Sequence, residues 1–325
     1  MLAIVCPGQG SQSPGFLSPW LEVPGVADHL GLLSDIAQLD LVAHGTTSDE
    51  ETIKDTAVAQ PLIVAAGLVT AKALTTNDPL DLSTVIAGHS VGEITASAIA
   101  GALSENDAMA FVRERANSMA RAAAQTPTGM SAVLGGDQTE VFAAIEAAGL
   151  TPANANGGGQ VVAAGTLEQL QAFAANPPAK ARVIPLKVAG AFHTTHMEPA
   201  VGALEALRPQ LSPSSPALTL LSNYDGEPVA GGEQNLDSLI AQVSRPVRWD
   251  LCMEEMLSVG ITGLLELTPA GTLTGLAKRG MKGVATLALK TPEDLEAARD
   301  FVAEHTRQTP QAATTVEEKS GDIHQ

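Results

Sequence analysis

The segment around Ser90 constrains the fold more strongly than any other part of the sequence. A short apolar run at residues 84–87 predicts a strand, and the small residues at 93–103 predict a helix. Between them lies the sequence GHSVG, a G-x-S-x-G pattern at residues 88–92. Between a strand and a helix this pattern is typical of a nucleophile elbow, a tight turn that presents the serine hydroxyl at the edge of a sheet. The alternative is an ordinary strand-to-helix turn whose serine only caps the helix.

Alternating strands and helices flank this turn on both sides. Residues 2–6 are continuously apolar and end at a Pro-Gly turn, which predicts a buried parallel strand. Ser104, with Asp107 three residues later, predicts the start of a helix that runs to about residue 124. The other predicted elements are helices at 61–74 (with Pro61 near the first turn), at 272–279 and from Pro292 onwards, and strands at 261–267 and 284–289. This alternation predicts an α/β fold.

Residues 128–188 follow a different order. The predicted elements there are strands at 131–134, 152–156, 160–164 and 182–188, and helices at 139–148 and 166–175. The order β-α-β-β-α-β is the ferredoxin-like signature. We therefore predict a large α/β domain at 1–127 and 189–307, with a ferredoxin-like subdomain at 128–188 inserted into it. Residues 308–325 have no apolar period and are predicted to be disordered.

A reactive serine needs a base that accepts its proton. The seven histidines are His29, His44, His89, His193, His196, His305 and His324. His29 and His44 fall in a stretch with weak predicted structure, whereas His193 and His196 follow the last strand of the subdomain. There the chain returns to the large domain, and ligand clefts form between domains. The residues alone leave both histidines open as the base. The pair lacks a third ligand in a recognisable motif, so we expect no metal site.

Arg115 stands out on the helix that begins after Ser104. Spacing of three, four and seven residues aligns one face of this helix. That face carries Ala108, Phe111, Val112, Arg115, Met119 and Ala122. A guanidinium on an apolar face must be paired, because an unpaired buried charge costs several kcal/mol. The residues favour an ion pair with a protein carboxylate or a side chain that reaches the surface; a clamp for the carboxylate of a substrate is the alternative.

The composition excludes several classes of partner. The net charge of −18, from 36 acidic and 18 basic side chains, repels nucleic acid, and an aromatic content of 3% leaves few stacking platforms. The apolar stretch at 62–69 is too short to span a bilayer, and residues 1–10 lack the basic region of a signal peptide. Cys6 and Cys252 match no metal or redox spacing. We expect no nucleic-acid partner, no membrane and a cytoplasmic location. The sequence leaves the oligomeric state open, with a monomer as the working expectation.

Three motifs together carry a resemblance to a known family. They are PGQGSQ at 7–12, GHSVGE at 88–93 and GAFH at 190–193. In these motifs the chain resembles the bacterial malonyl-CoA:acyl carrier protein transacylases of dissociated fatty acid synthesis. The match extends from residue 1 to about 305 and includes the segments 60–61, 154–160 and 246–249. Ordinary hydrolases have the second motif and lack the first, so the pair is highly specific.

The resemblance implies an α/β-hydrolase-like large domain with an inserted ferredoxin-like subdomain. It implies that Ser90 carries a malonyl group and that His193, rather than His196, is the base. The backbone N–H groups of Gln9 and Val91 would form the oxyanion hole. Arg115 would grip the malonyl carboxylate.

Further roles follow from the same resemblance. Gln60, Asn156 and Phe192 would contact the substrate, with Phe192 limiting space for a substituent beside the malonyl carboxylate. A backbone carbonyl near Arg248 would hold the imidazole tautomer; relatives often have Gln at that position, and a carbonyl role survives this change.

The implied reaction is a ping-pong transfer from malonyl-CoA to the phosphopantetheine thiol of acyl carrier protein. Coenzyme A enters only as the thioester substrate, and no metal or redox cofactor is expected. One alternative is an acyl-CoA thioesterase or esterase on the same elbow. A second is a non-catalytic module that binds carrier protein, which the presence of both a serine and candidate histidines disfavours.

Overall fold

Two five-stranded sheets organise the chain in the computed structural model, which describes residues 1–76 and 78–306. The strands are β1 (Leu2–Cys6), β2 (Val85–Gly88), β3 (Thr128–Gly135), β4 (Thr151–Gly157), β5 (Gln160–Thr166), β6 (Ala181–Pro185), β7 (Thr219–Leu220), β8 (Val247–Arg248), β9 (Gly263–Glu266) and β10 (Ala285–Ala288). The α-helices are α1 (Val26–Ala37), α2 (Leu41–Thr46), α3 (Glu50–Lys54), α4 (Thr56–Leu74), α5 (Gly92–Ile99), α6 (Glu105–Ala123), α7 (Gln138–Ala147), α8 (Leu167–Ala175), α9 (Glu198–Leu207), α10 (Gly232–Gln242), α11 (Trp249–Ser258), α12 (Thr272–Gly280) and α13 (Leu295–Thr306). The mixed α/β class predicted from the sequence is confirmed.

The first sheet is wholly parallel and has the strand order β10-β9-β1-β2-β7. Its central strands are buried on both faces, which explains why β1 and β2 are continuously apolar. In the pairing of β1 with β2, Cys6 lies opposite Gly88 at the carboxyl ends. The loop after β1, with Gln9, and the turn after β2, with Ser90, therefore leave the sheet side by side. Clefts at this edge are the usual ligand sites of open parallel sheets.

The second sheet has the order β6-β3-β5-β4-β8. Its first four strands are antiparallel and follow the order expected of a ferredoxin-like unit, with α7 and α8 as the two connecting helices. The fifth strand, β8, comes from later in the chain and pairs parallel with β4. This pairing joins the segment before α11 to the small sheet. The exact division at residues 128–188 stays a prediction.

One predicted helix boundary was wrong, and one stretch predicted to have little structure is helical. Helix α4 begins at Thr56, so Pro61 lies inside it rather than near its first turn; the Asp55 side chain caps its start by accepting from the Ala57 N–H. His29 and His44 lie in α1 and α2 rather than in a weakly structured stretch. The predicted disordered tail lies outside the described residues.

The length of helix α4 contradicts the prediction that its apolar stretch is too short to span a bilayer. The helix has 19 residues and is long and apolar enough, by composition alone, to cross a membrane. However, 78% of its apolar window is buried inside the protein. This burial is typical of a core helix, so burial rather than length argues against a membrane span.

Glu266, at the end of β9, is a fully buried carboxylate that holds the start of α12. Its oxygens accept hydrogen bonds from the backbone N–H groups of Gly271 (2.8 Å), Leu273 (2.9 Å) and Thr274 (2.8 Å). These are the donors that a helix leaves unpaired at its N-terminus. We predict that Glu266→Ala lowers the free energy of unfolding by about 3 kcal/mol or more, because several buried donors lose their acceptor.

Urea unfolding followed by circular dichroism measures this loss. Glu266→Gln keeps an acceptor oxygen and should lose less than Glu266→Ala. Glu304→Ala, at an exposed position on α13, is the matched control and should change the free energy of unfolding by less than about 0.5 kcal/mol. A loss in Glu266→Ala no larger than this control would contradict the capping role.

Candidate active site

Ser90 lies in a strained turn between β2 and α5. Its φ of 55° is in the left-handed region, which costs a non-glycine residue about 1–3 kcal/mol. A Cβ at Gly92 would collide with the carbonyl oxygen of Cys6, so the turn can approach β1 only with glycine there. Asn223 holds the turn, because its Oδ1 accepts from the Ser90 N–H (2.8 Å) and its Nδ2 donates to the Gly88 carbonyl (2.7 Å). This is the geometry of a nucleophile elbow.

His193 lies in a second strained loop, with a φ of 61°. Its backbone N–H donates to the Val243 carbonyl at 3.0 Å. Just before it, the Ala191 N–H donates to Thr128 Oγ1 (3.0 Å), and Thr194 Oγ1 donates to the Ala191 carbonyl (2.7 Å). These bonds tie the loop to β3 and to the end of α10, so the backbone of His193 is held from both sides.

The two side chains meet. His193 Nε2 lies 2.7 Å from Ser90 Oγ, and His193 Nδ1 lies 2.8 Å from the backbone carbonyl of Gln242. Because a carbonyl can only accept, Nδ1 carries the proton and Nε2 is free to take the proton of Ser90. The orienting carbonyl is therefore not near Arg248, as the resemblance implied. The Arg248 side chain instead donates to the carboxylate of Asp250.

The environment keeps His193 neutral. Burial lowers the pKa of His193 most, the positive charge of Arg115 lowers it further, and the Gln242 carbonyl opposes both; the pKa is about 3. At neutral pH the imidazole is therefore a free base. The other histidines in the described residues have different neighbours: His29 bonds Glu105, and His305 bonds Thr262. His196 is only partly buried, and its backbone N–H donates to Thr194 Oγ1.

Arg115 faces the same space and is only 1% exposed. Its Nη1 donates to Gln60 Oε1 (2.7 Å) and its Nη2 to Gln242 Oε1 (2.8 Å), with Ser90 Oγ 3.5 Å from Nη2. A guanidinium has five N–H donors, and two neutral amides satisfy only two of them. Nε has no hydrogen-bond partner within the part of the chain that the structure describes. Donors therefore remain for a carboxylate ligand.

The structure does not give Arg115 the ion pair that the residues alone favoured. No carboxylate of residues 1–76 and 78–306 forms a salt bridge with it. Glu93 is the carboxyl group whose charge acts on Arg115. Burial raises the pKa of Glu93 to about 8, while hydrogen bonds from Asn223 and Gln242 and the charge of Arg115 oppose this rise. Burial lowers the pKa of Arg115 to about 10, and Glu93 opposes this. At neutral pH Arg115 is therefore charged, and the two side chains that accept from it, Gln60 and Gln242, are neutral.

The remaining predicted residues lie around the same turn. Among the described hydrogen bonds, none uses the backbone N–H of Gln9 or Val91 as donor, so both are available. A Cβ at Gly8 would lie 2.7 Å from the His89 carbonyl oxygen, so glycine lets the Gln9 loop lie against the elbow. Asn156, on β4, accepts from His89 Nε2 at 2.8 Å and so links the small sheet to the elbow.

A cavity of about 690 Å³ opens over these groups, within the usual range for small-molecule sites. Seven of the eight predicted site residues line it: Gln9, Gln60, Ser90, Arg115, Asn156, Phe192 and His193. Val91 does not line it, but its predicted role needs only its backbone N–H. In the described residues, no group of three or more His, Cys, Asp or Glu side chains is arranged to hold a metal ion.

Sequence reasoning missed Asn223 and Gln242. Both are buried polar residues, with exposures of 1% and 5%. Neither belongs to one of the three motifs, and a polar residue at the end of a helix or in a loop is ordinary. Only the folded chain brings them to the elbow, so no local pattern could have identified them.

Comparisons with known proteins show which families and structures the chain is similar to. A model of the acyl transferase domain family matches residues 3–316. The chain is 50% identical to a malonyl CoA-acyl carrier protein transacylase of Mycobacterium tuberculosis over 297 residues, which covers 91% of this chain and 98% of the relative. A crystal structure of "MCAT" from the same organism is similar, with a TM-score of 0.88, 49% identity and coverage of 92% and 99%. Another similar structure is a malonyl-transacylase in complex with its type II PKS acyl-carrier protein, with a TM-score of 0.85, 29% identity and coverage of 92% and 99%.

The low pKa of His193 predicts that Ser90 stays reactive in mild acid. Only the neutral imidazole accepts a proton, so reactivity is lost as the pH falls through the pKa of His193 in the free protein. Because that pKa is about 3, we expect the rate constant for labelling of Ser90 by a fluorophosphonate to change less than about threefold between pH 7 and pH 5. Intact-mass time courses measure this rate.

Ser90→Ala controls for labelling at other sites. In Arg115→Met the charge that lowers the pKa of His193 is gone, so the acid limb should move to higher pH. A midpoint near pH 6.5 in the unmodified protein, as for an ordinary imidazole, would show that His193 is not held neutral by its surroundings.

Proposed function

The chain belongs to the acyl transferase family as a malonyl-CoA:acyl carrier protein transacylase, and from this membership we propose how Ser90 and His193 perform the transfer. Malonyl moves from coenzyme A to the thiol of acyl carrier protein in two half-reactions through a malonyl-serine. The observation that carries the proposal is the hydrogen bond of 2.7 Å between Ser90 Oγ and a buried, neutral His193 Nε2.

In the first half-reaction, His193 Nε2 takes the Ser90 proton while Oγ attacks the thioester carbonyl of malonyl-CoA. The negative charge on the tetrahedral oxygen is stabilised by the N–H groups of Gln9 and Val91; one such donor contributes about 3 kcal/mol. The C–S bond then breaks, the thiolate takes the proton from His193, and coenzyme A leaves. Malonyl remains as an ester on Ser90.

The second half-reaction runs the same steps in reverse with a new thiol. His193 takes the proton of the phosphopantetheine thiol, and the thiolate attacks the ester carbonyl. Collapse of the tetrahedral intermediate releases Ser90 Oγ, which recovers its proton from His193. Side chains and backbone donors supply every group that these steps require, so the proposal includes no metal and no redox cofactor. It also includes no nucleic-acid partner, a monomer as the acting unit and a cytoplasmic location; the buried free thiols Cys6 and Cys252 support this location.

Intact-mass spectrometry after mixing with malonyl-CoA tests the covalent intermediate. We expect a stable malonyl adduct on the unmodified chain that is discharged when holo acyl carrier protein is added. Ser90→Ala should show no adduct, since Ser90 Oγ is the hydroxyl that His193 Nε2 contacts. The readout distinguishes the rival activity: an adduct that water discharges as fast as the carrier does would favour a thioesterase.

Arg115 gives a physical reason for selectivity. Its unused N–H donors and net charge suit the malonyl carboxylate, whereas acetyl would leave the buried guanidinium without a ligand. A site with buried groups that await a polar ligand rejects analogues that lack it by a factor of order 10⁴. Gln60 holds Nη1, and Asn156 and Phe192 line the walls. Phe192 would clash with a branch beside the carboxylate, which supports malonyl over methylmalonyl; equal transfer rates for the two thioesters would remove that role.

We predict that Arg115→Ala lowers kcat/KM for malonyl transfer by about 10³-fold or more while acetyl transfer changes far less. The comparison of malonyl-CoA with acetyl-CoA in one steady-state assay measures the ratio. Arg121→Ala is the matched control, because Arg121 lies on the same helix with its side chain 63% exposed. If Arg115→Ala left the malonyl-to-acetyl ratio unchanged, the carboxylate would have to bind elsewhere.

A further inference from the structure

Gln242, the last residue of α10, contacts all three functional groups of the site. Its backbone carbonyl accepts from His193 Nδ1 (2.8 Å), and its side-chain Oε1 accepts from Arg115 Nη2 (2.8 Å). Its Nε2 donates to the Ser90 carbonyl at 3.2 Å and to the carboxyl group of Glu93. No other residue in the described chain has hydrogen bonds to the nucleophile, the base and the buried cation together.

The surroundings force the orientation of this amide. The Ser90 carbonyl can only accept, so it requires the NH₂ group of Gln242 on its side. Arg115 can only donate, so it requires the oxygen. With the side chain nearly buried, a reversed amide would leave mismatched groups on both sides. Gln242 is therefore locked in the orientation that presents an acceptor to Arg115.

Arg115 is held at both ends by amides rather than by carboxylates. Gln60 on α4 binds Nη1 and Gln242 on α10 binds Nη2. Two anchors from different helices fix the plane of the guanidinium, and because both are neutral its charge is not cancelled. A carboxylate at either place would fix the plane equally well but would compete with the ligand for the charge.

We propose that the Gln242 side chain is a specificity-determining positioning residue that acts through Arg115. It holds the guanidinium beside Ser90 so that the carboxylate of the acyl group and the reacting carbonyl are aligned together. This inference rests on the proposed role of Arg115 as the malonyl anchor. A misplacement of about 1 Å in a positioned group can cost 10²-fold in rate, so the side chain matters although it touches no reacting atom.

The test is Gln242→Met, which keeps the length of the side chain and the backbone carbonyl on His193 but removes all three side-chain hydrogen bonds. We expect kcat/KM for malonyl-CoA to fall about 10- to 100-fold, with kcat lowered as well as KM raised because the reacting carbonyl is misaligned, while kcat/KM for acetyl-CoA changes by less than about threefold. The pH dependence of fluorophosphonate labelling should keep its acid limb at low pH, since the carbonyl contact to Nδ1 remains.

A role in folding alone gives a different pattern. Asn235→Leu is the matched control, because Asn235 lies on the same helix and its side chain bonds Ser97, away from the cavity. It should lower the melting temperature without changing the malonyl-to-acetyl ratio. A Gln242→Met protein that also lost stability but kept the wild-type ratio would overturn the inference.

If Gln242→Met fails to fold, Gln242→Glu serves as the second variant. It places a carboxylate against Arg115 Nη2, where it competes with the malonyl group, so the malonyl-to-acetyl ratio should again fall.

A double mutant that combines Gln242→Met with Arg115→Ala tests whether Gln242 acts through Arg115. Once Arg115 is absent, Gln242→Met should not change the malonyl-to-acetyl ratio further. If Arg115→Ala alone leaves the ratio unchanged, the proposed function of Arg115 fails; if Arg115→Ala lowers it and Gln242→Met does not, only the role of Gln242 fails.

Discussion

The active site depends on one buried cation that forms no salt bridge within the described residues. Arg115 is almost completely buried and is bonded to the side-chain oxygens of Gln60 and Gln242 instead of a carboxylate. Burying a charge in this way costs several kcal/mol. The same charge lowers the pKa of His193 and opposes the burial that raises the pKa of Glu93. The burial of Arg115 thus lowers stability, but it keeps His193 unprotonated and leaves an anion-binding group in the cavity. Such costs are expected at functional sites rather than in ordinary cores.

The fold tolerates the buried charge of Arg115 because rigid helices, strands and hydrogen-bonded loops hold the groups around it. The elbow is the direct continuation of β2, next to β1 in the parallel sheet. The base arrives on the chain that leaves the small sheet, and its loop is tied to β3 by Thr128. Ser90 and His193 both have left-handed backbones, and each is held by hydrogen bonds to residues distant in sequence: Asn223 and Val243. Backbone strain of this kind persists only where the surroundings over-determine the conformation.

Local sequence patterns predicted the helices and strands but not the contacts between them. The elbow could be predicted because its turn needs glycines beside Ser90, and the helix of Arg115 could be predicted because its apolar stripe repeats with the helical period; all of that stripe is buried. The order of strands and helices at residues 128–188 could also be predicted, because each of them is bounded by turn residues. In contrast, the carbonyl that orients His193 belongs to Gln242, and the amide that holds the elbow to Asn223. Any residue has a carbonyl and many segments contain an amide, so only tertiary structure selects these two. The resemblance supplied the correct kind of group and the wrong position, near Arg248.

The location of the positive charge also explains how an acidic chain can serve an acidic substrate. With a net charge of −18, the average field of the surface repels an anionic substrate such as malonyl-CoA. Charges on the surface are screened beyond about 8 Å at physiological ionic strength, however, whereas a charge in a desolvated cavity is screened much less. Close to Ser90 the field is therefore set mainly by Arg115, whose Nη2 lies 3.5 Å from Ser90 Oγ. Lys54 and Lys187 line the same cavity, and because Glu50 there forms a salt bridge with Lys54, the three side chains add one positive charge. The net charge of the chain governs its solubility and its encounters, while the few groups around the cavity govern which acyl group is held.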